Sequence, residues 1–308
     1  MLFSTLFMAA GTTAAWGAAA GASRPVVRPG AARPGPTGQG GPAVRSNLAL
    51  VIDAEKSTTL YSKHPEKVAP IASITKLMTA MVVLDAGSPL EEEIVITRAD
   101  IDTIKYSGSR LPVRARLKRN DLLLAALMAS DNRAASALGR AYPGGTSACV
   151  EAMNRKAVEL GMLSTRFTDP TGLSDKNVST PADLARLVLA ARAYPRIREA
   201  TTTPSHTVRL PRGGVIQLHN SNRLVSNKTW DIALSKTGYI NEAGRCLVME
   251  AKIAARDVVI VLLDSWGKYT RLGDASRIRT WMEQALPSLV IAGEPSTAAG
   301  SGAGTLHP

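Results

Sequence analysis

Three short strings follow one another along the chain, Ser73-Ile74-Thr75-Lys76, Ser130-Asp131-Asn132 and Lys236-Thr237-Gly238. Together they could run an acyl transfer without histidine. Ser73 offers the hydroxyl nucleophile. Lys76, three residues on, shares a helix face with it one turn away. A lysine is protonated at neutral pH, so it becomes a base only if burial and a second nearby cation depress its pKa. Ser130 suits a proton relay toward a leaving amine, and the Asn132 amide suits hydrogen bonds to Lys76 and to a substrate amide. Lys236 supplies the second cation and Thr237 a hydroxyl for a substrate carboxylate. Gly238 lets a bound peptide add along a strand edge. The backbone N–H groups of Ser73 and Tyr239 are the natural pair for an oxyanion hole.

Each string alone has a plainer reading: an N-cap serine with a solvated lysine, a helix cap, a strand followed by a glycine turn. The surroundings of the first argue against it. From Ser73 to about Asp85, the residues Leu77, Met78, Ala80, Met81, Val82 and Leu84 leave the helix with no polar face, and a solvated lysine does not belong there.

The elements that would position these groups follow from pattern. Asn47–Asp53 reads as a buried strand with Thr58–Ser62 as its hairpin partner. Helices are expected over 122–128, 132–141, 146–160 and 180–192, the last started by Thr180-Pro181. Strands return at 207–210, 215–218, 232–236, 245–252 and 258–263, with Lys236-Thr237-Gly238 expected to end one of them, and a last helix covers 272–286. Strands at both ends with helices between predict an α+β fold: an antiparallel sheet closed by the terminal segments and packed on an internal helical region.

The chain of 308 residues carries 45% hydrophobic and 20% charged residues and a net charge of +12. Nucleic-acid binding fits poorly, because aromatics are only 4% and Arg24, Arg28, Arg33 and Arg45 lie in a Pro/Gly-rich stretch. An anionic polymer such as cell wall fits a basic protein better. Residues 1–22 hold no charged side chain, start apolar and reach Ala20-Gly21-Ala22, which reads as a cleaved export leader, although no Lys or Arg precedes the apolar run. Residues 23–45 read as a disordered Pro/Gly/Arg linker, 46–290 as the catalytic domain and 291–308 as a disordered tail. No later segment is apolar enough to span a bilayer, so the mature form is expected to hold no integral membrane segment and to work in the periplasm. Cys149 and Cys246 read as unpaired core thiols, and the four scattered histidines have no metal-ligand spacing.

These motifs resemble the low-molecular-mass penicillin-binding proteins, serine D-Ala-D-Ala peptidases. The resemblance rests on Val68–Ala80 around the nucleophile, Leu127–Ala135, Asp169-Pro-Thr-Gly-Leu173, Asn220–Leu224 and Ser235–Leu247. Within that group the chain is most similar to the penicillin-binding protein 7 type of D-alanyl-D-alanine endopeptidase. The resemblance implies the serine β-lactamase/DD-transpeptidase fold, a five-stranded antiparallel sheet flanked by helices with a helical subdomain. It implies cleavage of D-Ala-linked bonds in peptidoglycan stem peptides through a serine acyl-enzyme, acylation by β-lactams, and no cofactor. The family roles fall on Ser73, Lys76, Ser130, Asn132, Lys236 and Thr237. The extra C-terminal β domain and anchor helix of related carboxypeptidases find no counterpart here, which favours an endopeptidase over a carboxypeptidase. A class A β-lactamase would need a glutamate to activate the deacylating water, and 167–183 contains none.

Overall fold

The computed structural model describes residues 41–210 and 213–291, with side chains of 285–291 excepted. The expected leader 1–22, most of the linker and the tail from 292 lie outside the described residues.

Strand β1 (Leu48–Asp53) is buried along its whole length and pairs with the hairpin strand β2 (Thr59–Lys63). A short strand β3 (Ala69–Pro70) leads into a 3₁₀ turn, Ala72–Ile74, and then into helix α1 (Thr75–Asp85). From Thr75 to Val83 every residue of α1 is buried, as its lack of a polar face requires. Strands β4 (Glu93–Val95) and β5 (Arg116–Lys118) pair with each other at the base of the helical region. There follow α2 (Arg119–Met128), α3 (Asn132–Arg140) and α4 (Gly145–Glu159). Strand β6 (Val178–Ser179) pairs with β3, and α5 (Pro181–Ala191) starts where Thr180 accepts the Asp183 N–H.

Helix α6 (Pro195–Thr202) is absent from the expectations above. Its signal was Pro195 at the first helical position, weak because the segment is short and polar. Strands β7 (Ser205–Arg209) and β8 (Val215–His219) form a hairpin sheet of their own. The chain ends in β9 (Asp231–Ile240), β10 (Gly244–Ile253), β11 (Arg256–Ser265) and α7 (Thr270–Ile291). One expectation is corrected here. Lys236-Thr237-Gly238 does not end its strand but sits inside β9, which runs on to Ile240.

The main sheet has the antiparallel order β2-β1-β11-β10-β9. Both faces are covered. Ala49, Val51, Met249, Ile260 and Leu262 pack on one side against Ala275, Ile278 and Met282 of α7, while Leu50, Val248, Val259 and Val261 join the core of α1 and α5 on the other. Strands β10 and β11 therefore read as continuous apolar runs instead of alternating ones. Strand β9 is the sheet edge, and the helical region packs beside it with the 3₁₀ turn of Ser73 against the strand. Before β1, Val44 packs on the α7 side of the sheet, and the Ser46 hydroxyl and N–H both bond the buried Asp274 carboxylate of α7. That ties the two termini of the described chain together.

Candidate active site

The first motif puts Ser73 in the 3₁₀ turn just ahead of α1, where unpartnered N–H groups and the helix dipole favour negative charge. The turn is forced. Ala72 has φ 48, a left-handed conformation, and two glycines make room around it. A Cβ on Gly172 would lie 2.0 Å from the Ala72 carbonyl oxygen, and one on Gly238 would lie 2.9 Å from the Ile71 carbonyl and 3.2 Å from the Ser73 nitrogen. Gly238 thus lets β9 approach the nucleophile's own turn, which brings the Tyr239 backbone alongside Ser73.

Lys76 is 1% exposed and its Nζ donates to the Ser73 hydroxyl (2.8 Å), the Asn132 Oδ1 (2.7 Å) and the Thr171 carbonyl (2.6 Å). Burial pushes its pKa down to about 7, against the opposing pull of Asp169, Asp131 and Asp102. A second cation was expected to help depress this lysine. Lys236 is itself pushed well below the ordinary range, by burial first and then by Lys76 and Arg271, and the repulsion between the two amines acts on both. An arriving carboxylate would restore its charge.

Ser130 precedes α3 in a left-handed conformation, φ 59, and its hydroxyl accepts from Lys236 Nζ at 2.8 Å. Asp131 caps α3 through the Ala134 N–H (2.9 Å) and accepts the Ser109 hydroxyl at 2.7 Å, which holds the turn. Lys236 also donates to the Thr237 carbonyl (2.9 Å), and the Thr237 hydroxyl donates to Ser221 at 2.7 Å. The three motifs therefore form two hydrogen-bonded sets, one on Lys76 and one on Lys236, joined through the backbone of 130–132. The Tyr239 side chain is half exposed, under the Arg245 guanidinium.

Several groups escaped the sequence reading. Ser107 accepts from Asn132 Nδ2 at 2.7 Å and donates to Asp102 Oδ2 at 2.6 Å. Burial alone would raise the Asp102 pKa, but the Ser107 hydroxyl and the N–H groups of Lys105, Ser107 and Ile104 outweigh it and keep the carboxylate ionised. An ionised acid can only accept, so Ser107 must spend its proton there and accept from Asn132. The Asn132 amide is thereby turned with its oxygen toward Lys76. Asp169 binds the N–H groups of Thr171 (2.7 Å) and Gly172 (2.8 Å) and so aims the Thr171 carbonyl at Lys76. No local pattern announces Ser107, because its loop lies 25 residues from Asn132. Asp169-Pro-Thr-Gly was visible as an Asx-type turn, but not what its carbonyl touches.

Cys149 and Cys246 are both free and buried, and burial pushes each thiol up to about 12. Among the described residues, no helix is long and apolar enough to cross a membrane.

A family profile described as D-alanyl-D-alanine carboxypeptidase matches residues 36–267. A D-alanyl-D-alanine endopeptidase of Pseudomonas aeruginosa is 50% identical over 239 residues, 77% of either chain. One from Escherichia coli is 46% identical over 243 residues, 79% of this chain and 78% of the other. Among solved structures, the Streptomyces K15 DD-transpeptidase superposes with a TM-score of 0.74 at 27% identity, covering 79% of this chain and 98% of its own.

Proposed function

The chain belongs to the D-alanyl-D-alanine carboxypeptidase family of serine peptidases, and from that premise we propose a serine D-alanyl-D-alanine endopeptidase that opens peptidoglycan crosslinks through an acyl-enzyme on Ser73. The observation that carries this reading is the buried Lys76 amine on the Ser73 hydroxyl at 2.8 Å. With its pKa near 7, about half of this lysine is a free base at neutral pH.

Neutral Lys76 donates hydrogen bonds to the Asn132 oxygen and the Thr171 carbonyl, and its lone pair takes the Ser73 proton as the oxygen attacks the D-Ala carbonyl carbon. The N–H groups of Ser73 and Tyr239 receive the developing oxyanion. The substrate carboxylate sits at Thr237 and Lys236 and keeps Lys236 charged. Ser130 passes its proton to the leaving nitrogen and takes in its place the proton that Lys76 removed from Ser73, while Lys236 holds the Ser130 oxygen, and the C–N bond breaks to leave a Ser73 ester and a neutral Lys76. Neutral Lys76 takes one proton from a water as its oxygen attacks that ester, then gives that proton to the serine oxygen as the C–O bond breaks, which restores Ser73 and leaves the acyl half as an acid. A β-lactam presents the same amide and carboxylate and acylates Ser73 in the same way. The site of action is the periplasm, where crosslinked stem peptides are found. Asp169, in the stretch where a β-lactamase needs a glutamate, is committed to its own loop's N–H groups.

Labelling with a fluorescent penicillin tests the nucleophile: the wild type is tagged and Ser73→Ala is not. Digestion of crosslinked muropeptides to monomers tests the endopeptidase. Release of terminal D-Ala with crosslinks left intact would make the enzyme a carboxypeptidase.

A further inference from the structure

Ser130 forms one wall of a cleft of about 440 Å³ that the three motifs do not account for. Gly108, Arg110, Asp131, Leu218 and His219 line the rest of it, drawn from the loop before β5, the start of α3 and the hairpin strand β8. A larger cavity of about 510 Å³, between Pro42 and α7, holds none of the motif residues. The cleft at Ser130 is within the ~300–1,000 Å³ range of sites that enclose a small organic ligand.

We propose that this cleft is the subsite for the departing half of a crosslink, an anionic stem peptide whose carboxylate pairs with Arg110. The proposal rests on the endopeptidase reading above and names the substrate portion that reading leaves unplaced. The acyl half of the substrate ends on Ser73, beside Lys76, Asn132 and Thr171. The departing half begins at the nitrogen that receives the Ser130 proton, so its chain runs out on the Ser130 side, where the cleft opens. A carboxypeptidase releases a single alanine, which has no atoms to fill such a space. A crosslink releases a whole peptide carrying further carboxylates.

The walls suit that ligand. One guanidinium nitrogen of Arg110 donates to the Gln217 carbonyl of β8, which pins loop to hairpin across the cleft. Arginine has five N–H donors, so a forked set remains for a carboxylate. His219 adds an imidazole that can hydrogen-bond on the hairpin side. The one acid in the wall, Asp131, already binds the Ala134 N–H and the Ser109 hydroxyl at the positive end of α3, which blunts its repulsion. Leu218, 1% exposed, turns its side chain into the core beneath the cleft.

The test compares wild type, Arg110→Ala and Arg110→Glu on a crosslinked muropeptide dimer, with the rate of acylation by penicillin measured alongside. Penicillin has no departing strand and also reports that the site is folded. Arg110→Ala is expected to raise KM for the dimer about tenfold, the loss of one charge-assisted hydrogen-bonded pair. Arg110→Glu should raise it further, with penicillin acylation within about twofold of wild type for both. Converting the departing peptide's further carboxylates to amides, leaving the one held by Thr237 and Lys236 free, should raise KM for the wild type and add nothing to Arg110→Ala. Unchanged dimer KM, equal losses on dimer and penicillin, or additive effects of amidation and Arg110→Ala would each overturn the subsite. If wild type is acylated by penicillin but leaves the dimer whole, the endopeptidase reading falls and takes the subsite with it. Dimer cleavage unaffected by Arg110 removes the subsite alone.

Discussion

Lowering the pH should switch this site off through one amine. Lys76 is wholly buried, and its pKa moves from 10.5 to about 7. An ordinary lysine is free base in about three molecules per ten thousand at pH 7, whereas Lys76 is about half free, a gain of roughly three orders of magnitude in competent base. That corresponds to ~5 kcal/mol of preference against the charged form. Second-order acylation of Ser73 by a fluorescent penicillin should therefore climb with pH, about tenfold per pH unit well below pH 7, and level off above it. The same displacement shows in stability. Below about pH 7 the lysine is protonated both folded and unfolded, and the full burial penalty applies. Between 7 and 10.5 the unfolded chain binds more protons, so this group's contribution makes the fold more stable as pH rises through that window. Lys76→Arg keeps the charge at every pH and should cut acylation at least a thousandfold with no rising limb. An acylation rate flat from pH 5.5 to 8, or a midpoint near 10, would falsify the assignment of Lys76 as the base.

Ser107→Ala removes the acceptor that orients Asn132, so acylation should fall about 10- to 100-fold while Tm stays within a few degrees, and Ser107→Thr should recover most of the rate. If Ser107→Ala acylates at the wild-type rate, the Asp102–Ser107–Asn132 chain has no part in positioning. Gly172→Ala drives a Cβ into the Ala72 carbonyl at a residue with φ 80. It should cost about 2–4 kcal/mol, read as a Tm lower by about 5 °C or more in a chain of this size, and an unchanged Tm would sink the close-packing account of the nucleophile turn. Both cysteines should react with a thiol reagent in denaturant without reductant and stay inert in the native protein at pH 8, since burial holds their thiols near 12. One or no thiol in the denatured count would show a disulfide.

What the chain wrote locally could be read locally. Helix α1 was legible because Lys76 follows Ser73 onto an apolar run with no polar side, and β1 and β11 because unbroken apolar residues fit only a sheet covered on both faces. The residue types of the three motifs fixed which atoms could attack, accept and relay, since a serine hydroxyl and a lysine amine have few other partners for such work. Tertiary structure decided the rest. It set how far β9 runs, because Gly238 must meet the Ser73 turn and only the packed neighbour stops a side chain there. It buried Lys236 and set it near Lys76 and Arg271, both distant from it in sequence, and together these push its pKa down. It brought Ser107, the Thr171 carbonyl and Arg110 to the site from loops whose local sequence says only that the chain turns. Spacing encodes a helix face or a strand edge, while contacts across loops are settled when the core closes and every buried donor must find its acceptor.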